Sequence, residues 1–284
     1  MAEAGINTER TYFPPGLDLL DAFAENGIKA IVGFPYNDIR VGSAWSGDDI
    51  QSGGFANYIS AFKNHPAILM WEFGNEYNYH PEWFGGNIYN WYDSLERAAQ
   101  RAHSIDPNHP ISSAHGGLPD RDVLAMSPSV DVWGANIYDY TGISNVIKRW
   151  PNLSEKPLYI SETGIDSYND ALGRVDESAQ AQADLAIWNQ IDGTSDINSG
   201  LTFMTWQNET WKSGNNSVQN ANGIGNLPSI TSGDRFTEEY WGFIDVDGNP
   251  KQVYHTMQNA WKASSAGAIP LESFKTAEAI NYAA

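Results

Sequence analysis

Two glutamates in this sequence stand where a strand-forming run gives out. Glu76 follows Ile68-Leu69-Met70-Trp71-Glu72-Phe73-Gly74-Asn75, and Glu162 follows Leu158-Tyr159-Ile160-Ser161 and precedes Thr163-Gly164. Two carboxyl groups about 5 to 5.5 Å apart can cleave a glycosidic bond with retention, one attacking the anomeric carbon while the other protonates the leaving oxygen. A strand-end glutamate standing alone is more often a surface or ion-pair residue. Two in matching contexts, with amide and aromatic residues at neighbouring strand ends, reverse that expectation. Gly74 lets the backbone turn tightly before Glu76, and Asn75 sets an amide beside the reacting centre. Glu72, four residues earlier and inside the run, reads instead as a buried structural carboxylate paired with a nearby cation.

Carboxylates on separate segments need a scaffold that brings the segments together. Short runs of β-branched and aromatic residues alternate here with longer stretches of helical period, the pattern of βα units around a parallel sheet. Strands are expected at Ile6 to Tyr12, Ile28 to Phe34, Ile68 to Phe73, Ile111 to Ala114, Val130 to Ile137, Leu158 to Ser161 and Leu201 to Trp206. Helices are expected at Leu17 to Glu25, Phe55 to Asn64, Ile88 to Ser104, Ile143 to Trp150, Glu177 to Gln190 and Lys251 to Lys262. The stretch from Asn208 to Glu239 is a long loop rich in Gly, Asn and Ser, of a length that is usually functional or mobile.

In a (β/α)₈ TIM barrel the chemistry sits at the C-terminal ends of the strands. The residues that follow these runs are polar or aromatic at each one: Arg10 and Tyr12, Tyr36 to Asp38, Asn75 and Glu76, His115, Asn136 and Tyr138, Glu162, and Trp206 to Glu209. A doubly wound sheet would concentrate such residues at one or two switch points, so the pattern argues for a closed barrel. His115 could hydrogen-bond the nucleophile or a sugar hydroxyl, Asp38 and Asp166 could bind hydroxyls or merely shape turns, and Glu209 and Trp211 could reach the non-reducing side. Tyr77, Tyr79, His80, Trp83 and Phe84 follow Glu76 where a wall of the cleft belongs. Asp245-Val246-Asp247-Gly248-Asn249 opens like a calcium loop but lacks the distal Glu, and reads as a turn. No metal site or cofactor is expected.

Gly74-Asn75-Glu76 after an apolar run, with Ser161-Glu162-Thr163-Gly164 after a later one, resembles the paired signature of the clan A glycoside hydrolases. The resemblance implies a (β/α)₈ barrel, net retention, acid/base duty for Glu76 and nucleophile duty for Glu162. It also implies that Arg10 and Tyr138 hydrogen-bond the nucleophile and that Trp206 floors the subsite of the cleaved sugar. Within the clan, Gly27 to Asp38 and Ser161 to Gly164 are similar to the family 17 β-1,3-glucanases. Asp131 to Tyr138, Trp206 to Trp211 and Glu239 to Phe243 resemble β-1,3-glucanosyltransferases and family 2 barrels. Ile165 stands where family 17 carries a tryptophan.

The clan places its acid/base after strand four and its nucleophile after strand seven, whereas Glu76 and Glu162 follow the third and sixth runs. The barrel is therefore expected to lack its first βα unit at the N-terminus, with residues 1–262 forming the catalytic barrel. Residues 263–284 form a tail that either covers the gap, through Ala268 to Leu271, or is disordered. An open barrel exposes strand edges and would favour self-association.

The chain's 284 residues carry 35 acidic and 16 basic side chains, a net charge of −19 that repels nucleic acid and anionic membranes. The partner expected is a neutral oligo- or polysaccharide; 11 Trp, 14 Tyr and 11 Phe supply flat faces for sugar rings as well as core. Cysteine is absent, so there is no thiol nucleophile or disulfide. No stretch is apolar enough to span a bilayer, and Met1 to Ala4 carries no leader, so localisation stays open and is compatible with secretion or the periplasm. The leading expectation is a retaining hydrolase of β-glucan, with a lean to β-1,3 linkage. The alternatives are a β-glucan transglycosylase, a β-mannan or β-galactoside hydrolase, and an inactive sugar-binding barrel, the last made thinkable by the missing unit and by the charge of Glu9 within a barrel strand.

Overall fold

The computed structural model describes residues 1–37, 47–169, 173–210 and 238–265. Strands β1 (Thr8–Thr11), β2 (Lys29–Phe34), β3 (Ile68–Asn75), β4 (Ile111–Gly116), β5 (Val132–Asn136) and β6 (Leu158–Thr163) run in sequence order through one parallel sheet. A small antiparallel pair, β7 (Tyr168–Asn169) and β8 (Arg174–Val175), stands apart. Strand β9 (Asn198–Phe203) then adds beside β6 as the seventh strand of the main sheet. Helices α1 (Leu17–Glu25), α2 (Phe55–Phe62), α3 (Tyr89–Ile105), α4 (Arg121–Met126), α5 (Ile143–Ile147), α6 (Glu177–Asp192) and α7 (Gln252–Ser265) alternate with the strands. This is the expected (β/α) barrel, with seven parallel strands among the described residues.

The strands read as apolar runs because both of their faces are covered. On the outer face, Val32, Phe34, Trp71, Phe73, Trp133, Leu158 and Ile160 meet Leu20, Ile59, Leu95 and Ile187 of the helices in one continuous core. Inside, Ile31, Met70 and Tyr159 pack together with Val132. Above that apolar layer the interior turns polar, since the Tyr159 hydroxyl of β6 donates to Glu72 of β3, two strands that are not neighbours.

Strands β1 and β9 end the sheet and approach one another without pairing. On the outside of this junction a short 3₁₀ turn, Ala2–Ala4, packs against α7, where Gln258 donates to the Glu3 carbonyl at 2.6 Å. A small cluster of Ala181, Phe243, Val253 and Met257 ties α7 to α6. The stretch Ala268 to Leu271, expected to cover the gap, lies with the rest of residues 266–284 outside the described residues. Glu9, on β1, has its carboxyl pushed up to about 7 by burial.

Three differences from the sequence expectation have physical causes. The last strand is Asn198–Phe203 rather than Leu201 to Trp206, because the chain bends away after Phe203 and Trp206 donates no ladder bond to β6. Helix α4 was not expected; six residues are too few to show a period, yet Asp120 caps it by accepting from Asp122 and Val123 backbone N–H groups at 3.0 and 2.9 Å. The β7–β8 pair is too short to leave a pattern. The Trp71 indole, fully buried, donates to Asp106 at 2.8 Å, and Asp106 also accepts from the Asn108 backbone at 3.0 Å. Replacing Asp106 by Ala strands that indole N–H in the core. The expected result in urea unfolding is a loss of about 1–3 kcal/mol with the barrel's ligand affinity kept.

Candidate active site

Strict alternation along a strand would not aim all of the site residues inward. The ladder between β3 and β4 shifts register between Glu72 and Asn75, and that between β5 and β6 shifts at Asn136, which pairs with Glu162. Such irregularities re-aim side chains at barrel rims. Glu76 itself adopts φ +54°, a left-handed conformation uncommon for a residue with a side chain. Its N–H is anchored to the Ala114 carbonyl of β4 at 3.0 Å. Two residues earlier Gly74 has φ +75°, and a Cβ there would lie 2.5 Å from the Trp91 ring, so both the turn and the packing require glycine.

Arg10 reaches across the interior from β1. Its Nε donates to Glu72 Oε1 at 2.5 Å, its Nη1 to Glu162 Oε1 at 2.8 Å and its Nη2 to Asn75 Oδ1 at 2.9 Å. Glu72 also accepts from the hydroxyls of Ser112, at 3.2 Å, and Tyr159. It is the buried structural carboxylate that its position inside the strand implied. Glu162 receives two further donors, Tyr12 Oη on Oε1 and Tyr138 Oη on Oε2, each at 2.7 Å. Both of its oxygens thus have hydrogen-bond partners. Asn136 joins β3 to β6: its side-chain amide donates to Asn75 Oδ1 at 3.1 Å while its Oδ1 accepts from Ser161 Oγ at 2.6 Å.

The electrostatics separate the two glutamates. Burial raises the Glu76 carboxyl above its ordinary range and the charge of Glu162 raises it further; a hydrogen bond from Asn136 and the charge of Arg10 oppose the shift. The phenols of Tyr12 and Tyr138 are likewise raised, by burial first and then by Glu162, so they remain donors. Glu76 is thus disposed to hold a proton.

Of the residues singled out in the sequence, Arg10, Asn75, Tyr138, Glu76 and Glu162 are brought into one network. Others are placed elsewhere. His115 is one residue out of phase with Ser112 and so faces the helices, where its Nε2 pairs with Tyr92 Oη at 3.1 Å and its Nδ1 with the Gly117 carbonyl at 3.1 Å. Tyr36 is packed among Phe84 and Trp91, with its N–H donating to Tyr77 Oη at 2.9 Å. Trp206 turns outward to Tyr254 of α7, with ring centroids 6.1 Å apart, and joins the small outer cluster. Glu209 is fixed through its backbone to the Glu239 carbonyl at 2.9 Å. Asp166 and Asp245 cap local turns, and no group of residues suited to a metal occurs among the described residues. Asp38 and Trp211 lie outside the described residues.

Two residues of the network stand outside the sequence expectations. Tyr12 was noted at a strand end without a role. Trp241 is the indole that meets Tyr138, edge-on with centroids 5.3 Å apart, and it also lies against Gly164 behind the nucleophile. Its segment is clamped by α6 and by the residue just before α7: Gln180 donates to the Trp241 carbonyl at 3.0 Å, and Lys251 donates to the Tyr240 carbonyl at 2.9 Å and to Ser167 Oγ at 3.0 Å. Burial lowers the Lys251 ammonium to about 8, offset in part by Glu177, Asp166 and Asp184. The signal in the sequence was the aromatic string Tyr240-Trp241-Gly242-Phe243, whose return to the nucleophile depends on a backbone pairing between Asn208 and Ile244.

A parallel barrel that ends two strands on carboxyl groups so differently bonded is of the clan A glycoside hydrolase class. Within it, the chain belongs to the glycosyl hydrolases family 2, carrying the TIM barrel domain, whose family model matches residues 35–188. The family 2 part of the sequence resemblance is thereby supported; the likeness to family 17 and to β-1,3-glucanases is not. A β-galactosidase of Alteromonas mediterranea is 25% identical over 183 residues, 61% of this chain and 16% of that protein. A putative mannan endo-1,4-β-mannosidase of Arabidopsis thaliana is 25% identical over 145 residues, 38% of this chain and 35% of that protein. The fold matches a β-D-glucuronidase of Dictyoglomus thermophilum with a TM-score of 0.66 at 20% identity, over 92% of this chain and 45% of that one. A β-galacturonidase of Eisenbergiella tayi matches with a TM-score of 0.65 at 19% identity, over the same shares, 92% and 45%. The chain therefore spans less than half the length of each of these relatives.

The coupling between the glutamates sets a pH prediction. Because the Glu162 charge raises Glu76, neutralising it in Glu162→Gln lowers the pH at which Glu76 loses its proton. Carbon-13 NMR of labelled glutamate should show the Glu76 titration moving to lower pH in the variant; an unchanged or raised midpoint would break the coupling.

Proposed function

We propose that this barrel cleaves β-glycosides with retention of configuration, through a covalent glycosyl-enzyme. The observation that carries the reading is Glu162, held on both oxygens by Arg10, Tyr12 and Tyr138 within the electrostatic reach of a Glu76 pushed toward protonation. Glu162 attacks the anomeric carbon as Glu76 gives its proton to the glycosidic oxygen, and the bond to the leaving group breaks. Esterification removes the Glu162 charge that had raised Glu76. Glu76 is thereby released to act as a base, taking a proton from the water that attacks the ester and frees the sugar and Glu162.

Trp241, standing behind Tyr138 and Gly164, is the residue we assign to the floor of the cleaved sugar's subsite. The substrate class best supported is a β-galactoside or a β-mannoside, since the curated relatives are named for those activities. The β-1,3-glucan expectation has no support among them. No step of this chemistry requires a cofactor, and no helix among the described residues is long and apolar enough to cross a membrane.

Azide separates the two roles on activated aryl β-galactosides and β-mannosides. Glu162→Gly should abolish hydrolysis, and azide should restore turnover with an α-glycosyl azide as product, because the anion takes the nucleophile's face. Glu76→Ala should slow turnover of poor leaving groups by roughly 10²–10⁴-fold and yield the β-glycosyl azide from the glycosyl-enzyme. Full activity in Glu162→Gly, or the two anomers exchanged between variants, contradicts the assignment.

A further inference from the structure

Beyond the carboxylates, the chain after Glu76 builds a surface that the reaction as drawn does not use. Two 3₁₀ turns, Tyr77–Tyr79 and Pro81–Phe84, follow the acid/base directly. Their four aromatic rings divide into two sets. Tyr77 and Phe84 are spent on packing, each against Trp91, with centroids 4.8 and 5.6 Å away. Tyr79 and Trp83 are instead 60% and 55% exposed, the most open large apolar side chains among the described residues. A soluble barrel gains nothing from wetting two large rings beside its proton donor unless something covers them in use.

These rings are held, not loose. Tyr79 donates its N–H to the Glu76 carbonyl at 3.0 Å. Its ring lies over Gly116 of β4 so closely that a Cβ there would come within 2.1 Å of it. Asn78 fastens the same turn by accepting from the Gly116 N–H at 2.9 Å and donating to the Gly116 carbonyl at 3.2 Å. Trp83 has one face covered by the His80 ring, 3.8 Å away and 5° from parallel, and His80 is in turn paired with Glu82 at 2.9 Å. Rings fixed in advance lose little freedom when a ligand stacks on them.

Position decides the occupant. A proton donor must touch the glycosidic oxygen, so the surface next to Glu76 and away from Glu162 faces the leaving group. Tyr79 feels the Glu76 charge, and its anchoring on β4 sets it on the rim beside Glu76. We propose that Tyr79, extended by Trp83, is the leaving-group subsite, stacking on the apolar face of the pyranose that departs, and that the enzyme acts on oligosaccharides in preference to glycosides with small leaving groups. This rests on the acid/base role given above to Glu76. The same platform would hold an acceptor sugar during transfer.

The test compares the full chain with its Tyr79→Ala and Tyr79→Phe variants on a β-1,4-linked disaccharide (galactosyl-glucose and mannobiose) and on the β-glycosyl fluoride of the same sugar, which has no leaving-group ring. The ratio of kcat/KM for disaccharide over fluoride should fall about tenfold in Tyr79→Ala, the scale of one aromatic stacking contact, and be restored in Tyr79→Phe, which keeps the ring. Trp83→Ala, whose ring does not brace a strand, should lower the ratio in the same direction. An unchanged ratio in Tyr79→Ala, or a Phe variant as impaired as Ala, overturns the proposal. Calorimetry of disaccharide and monosaccharide binding to Glu162→Gln protein, with and without Tyr79→Ala, keeps the question separate from turnover. If the parent chain cleaves no β-glycoside, the reading of Glu76 fails; if Tyr79→Ala leaves disaccharide affinity intact, the platform fails.

Discussion

Arg10 is a guanidinium with almost no access to water, 5% exposed at its side chain, and its three nitrogens are engaged by partners on two other strands, Glu72 and Asn75 of β3 and Glu162 of β6. Burying such a charge is unfavourable unless it is paired and its donors are satisfied. The barrel meets that condition twice over, with Glu72 below and Glu162 above. Glu72 absorbs much of the arginine's charge from beneath and is itself held by Ser112 and Tyr159. The consequence is a buried polar post in the barrel interior on which Glu162 rests. Removing Glu72 would leave the buried Arg10 charge with Glu162 as its only carboxylate partner among the described residues. The post also explains why a charge as unusual as Glu72 persists inside a strand.

From that post the two glutamates acquire their difference. Glu162 lies on the arginine and on two phenols; Glu76 follows β3, separated from β6 by β4 and β5, and sits on backbone twisted to a positive φ. Burial and the neighbouring charge of Glu162 then act on Glu76 in the protonating direction. The division of labour proposed for them therefore follows from where the register shifts of β3–β4 and β5–β6 aim the side chains, and not from the two residues' chemistry, which is the same.

The sequence was legible where the fold imposes a period and opaque where it depends on a return from afar. Runs such as Ile68 to Phe73 and Leu158 to Ser161 announce parallel strands because both faces are buried, and a carboxylate ending such a run stands out against it. Arg10 and Tyr138 followed from the same strand-end logic. His115 did not: counted in steps of two from Ser112, it falls on the outer face, and this parity was available in the sequence. The exchange of Trp206 for Trp241 was not available in the same way. It depends on the segment 239–243 folding back over Asn208 and being clamped by Gln180 and Lys251, contacts that no local pattern encodes. Tyr79 and Trp83 were visible only as members of an aromatic string, and burial was needed to tell the packed rings from the open ones.

The central claim is that Glu162, and not Glu76, becomes bonded to the sugar. Incubating the full chain with 2-deoxy-2-fluoro β-galactosyl and β-mannosyl fluorides, then digesting it and sequencing the labelled peptide by mass spectrometry, reads this directly. One fluorosugar on Glu162, in the peptide containing Tyr159-Ile160-Ser161-Glu162-Thr163, is the result expected. A label on Glu76, or turnover of β-glycosides to products of inverted configuration with no label anywhere, would contradict it.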